Sequence, residues 1–193
     1  GKYNVALRVL SSFEDGPGTL IVADSDKHED SMEEPLISGI AFTANEAKLT
    51  LLSVADRPGI AAAIFGPLSE AGVNVDMIVQ NISEDGRTDM TFSCPIDQVK
   101  RAEKALKDAV TAGQITYGDL LADTNVAKVS AVGIGMRSQS GVAAQMFRTL
   151  SDEGINIRVI ATSEIKISVL IDRKYMELAV QALHDTFNLD KAD

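Results

Sequence analysis

From Leu36 onward, apolar residues fall into short strand-like runs and longer helix-spaced runs, and the pattern comes twice. Leu36 to Phe42 and Lys48 to Val54 have the apolar content and polar bounds of strands. Pro58 suits the first turn of the next segment, where its missing N–H costs nothing. Ile60, Ala61, Ile64, Phe65, Leu68 and Ala71 then share one helical face, with Gly72 placed as the C-terminal stop. Asn74 to Asn81 and Arg87 to Cys94 read as a hairpin around Glu84-Asp85-Gly86, because Asp-Gly favours a tight turn. A helix after Pro95 turns Ile96, Val99, Ala102, Leu106 and Val110 inward, and Ile115 to Leu120 supplies a closing strand. The order is β-α-β-β-α-β. A second set follows: strand 127–134, helix 140–153, strands 155–162 and 165–171, and helix 173–187.

The two sets are copies of one another. KLTLLSVADRPGIAAAIFGPLSEAGVNVDMIVQN (48–81) aligns with KVSAVGIGMRSQSGVAAQMFRTLSDEGINIRVIATS (128–163) once two residues are inserted before the loop glycine. Gly59 then matches Gly141, Phe65 Phe147, Leu68 Leu150, Ser69 Ser151, Gly72 Gly154 and Asn74 Asn156. Such a repeat is one supersecondary unit used twice, and function is expected where the copies meet. The second copy lacks a fourth strand, and an open apolar edge invites aggregation. The spare strand at 35–43 fills that edge if the first unit is inserted into the second. The predicted fold is α+β, with each unit a four-stranded antiparallel sheet carrying two helices on one face.

Ahead of the repeat, Val5 to Leu10 is strand-like, Glu14-Asp15-Gly16-Pro17-Gly18 is turn-rich, and Leu20-Ile21-Val22 is a short apolar run. These residues are too few for a core and read as the end of something larger. Residues 24–34, DSDKHEDSMEE, are acidic without an apolar period and read as a linker, with His28 a solvated member of it. The net charge of −10 argues against nucleic acid or an anionic membrane as a partner. No apolar run approaches a membrane span, and nothing at the start reads as a signal peptide. A single cysteine, Cys94, excludes an internal disulfide and suits a reducing cytoplasm.

Catalytic patterns are missing from the chain. It has no Walker loop and no Cys or His cluster with metal spacing, and Gly133-Ile134-Gly135 lacks the third glycine of a dinucleotide fingerprint, Ser138 standing in its place. His184 reads as a helix-face residue and Cys94 as a buried thiol. What the repeat does offer is a receptor for a zwitterion. In each copy a strand ends in a polar loop that opens a helix, Asp56-Arg57-Pro58-Gly59-Ile60 and Met136-Arg137-Ser138-Gln139-Ser140-Gly141-Val142. Unpaired first-turn N–H groups favour a carboxylate, and glycine lets the backbone approach it. Strand carbonyls, Asp56 or Asn74 would accept from an α-ammonium. The plainer alternative is that Asp56 caps the helix and the glycines serve the turn.

The strings VADRPGIAAAIFGPLSEAGVNVDMIVQNISEDGRTDMTF, KVSAVGIGMRS and ATSEIKISVLID resemble the regulatory ACT-domain pair of bacterial aspartokinase. Asp76 to Asn81 and Thr162 to Ser168 are its most specific parts. The resemblance implies two ferredoxin-like ACT domains, 44–122 and 35–43 with 123–189, the first inserted into the second. It implies that 1–23 is the tail of a kinase domain, and that Met32-Glu33-Glu34 resembles the start of a separately made regulatory subunit. The family phosphorylates aspartate with ATP, and its ACT pair binds L-lysine and/or L-threonine to inhibit that reaction. The nucleotide motif is missing from this chain, so it is not expected to act as an enzyme by itself; ATP and Mg belong to the catalytic portion. Partners implied are that catalytic subunit or domain and a second copy, in a homodimer through the ACT sheets.

Carried over residue by residue, the first effector site uses Asp56, Pro58, Gly59, Ile60, Ala61, Asn74, Asp76 and Gln80, with Ser83 and Thr91 nearby. The second uses Met136, Arg137, Ser138, Gly141, Val142, Asn156, Ile157, Thr162, Ser163 and Glu164. A lysine ε-ammonium needs a carboxylate, for which Asp76 and Glu164 are candidates. A threonine hydroxyl needs only a donor and an acceptor, which Gln80 or Thr162 would supply. Three rivals stand beside this reading: a module that only assembles kinase subunits, an amino-acid-binding domain of another enzyme, and an enzyme built around Cys94.

Overall fold

The computed structural model describes residues 7–9, 19–21, 37–82, 86–133 and 140–190. The acidic linker at 24–34, the Glu84-Asp85 turn, Ser83, and Met136, Arg137 and Ser138 lie outside the described residues. The chain divides into residues 1–35 and 36–193. In the first unit β1 (Leu7–Val9) pairs antiparallel with β2 (Thr19–Ile21), Leu7 opposite Ile21.

The second unit holds β3 (Gly39–Ala55), α1 (Ile60–Glu70), β4 (Ile78–Ile82), β5 (Arg87–Cys94), α2 (Val99–Thr111), β6 (Asp119–Val132), α3 (Ser140–Asp152), β7 (Ile157–Thr162), β8 (Lys166–Asp172) and α4 (Met176–Thr186). All pairings are antiparallel, in the order β4-β5-β3-β6-β8-β7. The insertion is visible in the register. Residues 39–43 of β3 pair with 128–132 of β6, beside β8, whereas 48–52 pair with 119–123, beside β5. Each unit therefore takes one half of β3 and one half of β6, the first in the order βαββαβ and the second in the order ββαββα.

One feature differs from the sequence expectation. The polar breaks at 43–47 and 121–126 are not loops, so the two sheets run on as one. Strand pairing carries through these residues, Thr43 with Lys128 and Glu46 with Val126. Asn45 N–H donates to Thr43 Oγ1 at 3.1 Å and Asn125 N–H to Asp123 Oδ1 at 2.9 Å, at positions the repeat makes equivalent. Register irregularities between Thr43 and Glu46, and between Glu46 and Lys48, absorb the change.

Two cores lie beneath the helix pairs. Leu49, Leu51, Met90 and Phe92 meet Ile64 and Leu68 of α1 and Leu106 of α2. Val129, Ala131, Val169 and Ile171 meet Met146 and Leu150 of α3 and Leu183 of α4. Each such leucine, fully removed from water, contributes about 1.5–3 kcal/mol. Ile60, Ile64 and Leu68 form the expected buried stripe of α1, but Ala61 is exposed. Gly72 and Gly154 both follow their helices at φ +67°, a left-handed conformation that glycine adopts without a Cβ penalty. The opposite face of the sheet is polar, with Lys48, Thr50 and Thr91 in one copy and Lys128, Ser130 and Ser168 in the other. It is still partly buried, because the sheet curls until its edge strands β4 and β7 come alongside each other.

Candidate functional site

The first helix-opening loop is built for access. Asp56 is exposed and ties down its backbone by donating N–H to the Gly86 carbonyl at 2.9 Å. Arg57 reaches the Gln114 carbonyl at 3.3 Å. Gly59 occupies the N-cap position of α1 at φ +86°, and no side chain caps the first turn. Asp56 is therefore not the helix cap, and open space lies where a Cβ on Gly59 would point. Pro58 and Ala61 are exposed beside it, whereas Ile60 is core. In the second copy Gly141 is exposed at the start of α3 and Val142, the counterpart of Ile60, is likewise core.

The seam between β4 and β7 brings the two copies together. A cleft of about 290 Å³ is lined by Asp76, Ile78, Thr162, Ser163, Lys166 and Ser168, together with Met77 and Ala161. Three expected effector residues, Asp76, Thr162 and Ser163, thus meet across it. Gln80 is exposed further along β4, and Asn74, whose N–H donates to Gln98 Oε1 at 2.7 Å, precedes that strand. Asn156 and Ile157 line a separate surface depression at the end of α3. Glu164 is exposed just beyond β7.

Lys128, a residue the sequence reading passed over, organises the seam. Its ammonium donates to Glu46 Oε1 at 2.8 Å and to Asp76 Oδ2. Glu46 is only 5% exposed, and its second oxygen has no partner among the described residues. The available signal was a lysine inside the apolar run Val126-Ala127-Lys128-Val129, where a charge leaving water requires a counter-charge. A buried hydroxyl pair, Ser130 with Ser168 at 2.8 Å, lies alongside on β6 and β8.

Asp76 is held below the usual carboxylate range, chiefly by the Lys128 hydrogen bond. Burial opposes this, and the charges of Lys128 and Lys166 add to it. Burial alone would lower Lys128, but its bonds to Asp76 and Glu46 and their charges outweigh burial and leave it raised. Because the folded value of Asp76 lies below the unfolded one of about 3.9, its contribution is fully present above that value and lost as pH falls through the folded value. The Lys128 contribution is present below about pH 10.4 and lost as pH rises through the folded value. The urea midpoint should therefore fall more steeply below about pH 4 in the wild type than in Asp76→Asn. Equal acid sensitivity of the two proteins would remove Asp76 from the network.

Cys94 is fully buried at the end of β5. Burial pushes its thiol up to about 11, and the charges of Glu46 and Asp97 push the same way. A thiol so protonated is no nucleophile near neutrality. His184 Nδ1 lies 3.3 Å from Asp190 on the surface of α4.

ACT-domain families match residues 49–111 and 129–187. The crystal structure of aspartokinase alpha and beta subunits contains a chain 49% identical to this one. The match covers 79% of this chain and 99% of that one, with a TM-score of 0.72. The chain belongs to the aspartokinase family, as its ACT-domain regulatory part. The ligand-free regulatory subunit of aspartate kinase from Thermus thermophilus is 38% identical over 79% of this chain and 99% of its own, with a TM-score of 0.73. The aspartate kinase of Pseudomonas fluorescens (strain SBW25) is 56% identical over 190 residues, 98% of this chain. The chain spans 45% of that relative's length. Among the described residues no helix is long and apolar enough to cross a membrane.

Proposed function

We propose that this aspartokinase regulatory part senses an end-product amino acid, L-threonine and/or L-lysine, at ACT–ACT interfaces and thereby inhibits ATP-dependent phosphorylation of L-aspartate in a catalytic portion. The observation that carries the reading is the first turn of α1 behind Gly59, which no side chain caps among the described residues, with open space where a Gly59 Cβ would point. Its N–H groups suit the ligand carboxylate. Asn74, Gln80 and the 56–61 loop supply the remaining polar contacts, and Asn156 and Thr162 are the second copy's counterparts of Asn74 and Gln80.

The seam favours threonine over lysine at Asp76. That carboxylate already holds the Lys128 ammonium, so a ligand ε-ammonium would have to displace an internal one. A hydroxyl has no such competitor and finds Thr162 and Ser163 in the cleft. Pairing with a second copy is supported by Ile78, 51% exposed on the edge strand β4. Inhibition then requires the effector to bind the inhibited arrangement more tightly, with a coupling of about 1–3 kcal/mol.

Gln80→Ala is the direct test. Gln80 is exposed on an edge strand, so the unfolding free energy should change by no more than about 0.5 kcal/mol. Effector affinity should fall about tenfold as a polar partner is lost. Unchanged affinity would remove this site.

A further inference from the structure

The internal repeat gives the seam a second cleft, and its charges are inverted. This cleft, of about 380 Å³, also lies between β4 and β7, with Lys48, Asn81, Thr91 and Arg158 on its walls and aliphatic side chains such as Val79 and Ile160. The repeat and the strand register make Lys48 the counterpart of Lys128, Thr91 of Ser168, Asn81 of Ser163, and Arg158 of Asp76. Lys128 is neutralised by Glu46 and Asp76. At the corresponding positions Lys48 has Val126 and Arg158, while Asp123, its register partner on β6, accepts from Asn125 N–H.

Among the described residues nothing pairs with the half-buried Lys48 ammonium, and no carboxylate lines the cleft. Arg158 gives Nε and Nη2 to Asp172 Oδ1, at 3.1 and 2.7 Å, which fixes the guanidinium plane and leaves Nη1 unused. The Thr91 hydroxyl shares one hydrogen bond with Thr50 at 3.0 Å. Lys48, Arg158, Asn81 and Thr91 thus line a partly apolar cleft in which Asp172 meets the Arg158 charge and, among the described residues, no bonded carboxylate meets that of Lys48.

We propose that this cleft binds a small aliphatic carboxylate lacking an α-ammonium, a 2-oxo acid or its 2-hydroxy counterpart. The carboxylate takes the place that Asp76 has beside Lys128 in the first cleft, and the alkyl chain lies on Val79 and Ile160. An α-amino acid is disfavoured, because its ammonium would stand near Lys48 with no carboxylate among the lining residues to receive it. This is the reverse of the chemistry argued for the effector, so the two sites would not compete for one ligand.

The test is calorimetric titration of the full chain with 3-methyl-2-oxobutanoate and with L-valine, which share a carbon skeleton, at one ionic strength. Saturable binding of the oxo acid is expected, with L-valine at least about tenfold weaker. Lys48→Met should weaken the oxo acid about tenfold or more, and Asn81→Ala, at an exposed position, should weaken it in the same direction. No binding of the oxo acid at about 20 mM would overturn the proposal, as would equal binding of L-valine or unchanged affinity in both variants.

Discussion

Lys128→Met is expected to lower the unfolding free energy by about 3–5 kcal/mol, because it strands a buried carboxylate. Glu46 is 5% exposed, and Oε2 already lacks a partner, so the lysine is its compensation among the described residues. Removing the ammonium leaves the Glu46 carboxylate buried without its cation. It also frees Asp76, loosening the approach to β4. The cost should be conditional on the acid. Glu46→Leu combined with Lys128→Met removes both charges, and replacing a buried pair by apolar groups is often close to neutral. Urea unfolding of the two variants separates the cases. A loss under about 1 kcal/mol in the single variant would mean that the pair is solvated and does not hold the seam.

Phe92→Ala is expected to cost about 3–5 kcal/mol, and to weaken effector binding as well. Phe92 is 1% exposed in the middle of β5, and its ring meets the Phe65 ring edge to face, with centroids 5.6 Å apart. Phe65 belongs to α1, whose first turn follows the Gly59 loop. Truncation leaves a cavity under the helix and removes an aromatic contact worth about 0.5–1.5 kcal/mol beyond area. Phe92→Leu, which fills most of the volume, should restore most of the stability. An alanine variant that unfolds as the wild type does would place this core away from the first ACT unit's stability.

The helices were legible because their signals are local and strong. Ile60, Ile64 and Leu68 recur at helical spacing, and Gly72 and Gly154 stop both copies at the same backbone angle. The insertion followed from a missing strand and a spare one. The joining of β3 and β6 across both units was not legible, since Thr43-Ala44-Asn45 and Asp123-Thr124-Asn125 carry the composition of loops. Contacts distant in sequence hold those residues in the sheet: Glu46 pairs with Val126, Ile96 N–H donates to Asn45 Oδ1, and Arg173 donates to the Thr124 carbonyl. Ile60 and Val142 are ligand contacts on resemblance, and their side chains are core; the exposed neighbours are Gly59, Ala61 and Gly141. Lys128 escaped notice because its partners lie 82 and 52 residues away, on other strands. The contrast between the two clefts needed both the repeat and the curl of the sheet, which no local pattern encodes.

Whether the ACT pair binds an end-product amino acid is decided by calorimetric titration of the chain with L-threonine and L-lysine, separately and together at fixed ionic strength. Saturable binding of threonine is expected, weakened about tenfold in Gln80→Ala, with mutual enhancement if lysine takes a second interface. No heat with either amino acid at millimolar concentration would contradict it and leave a module that only assembles kinase subunits.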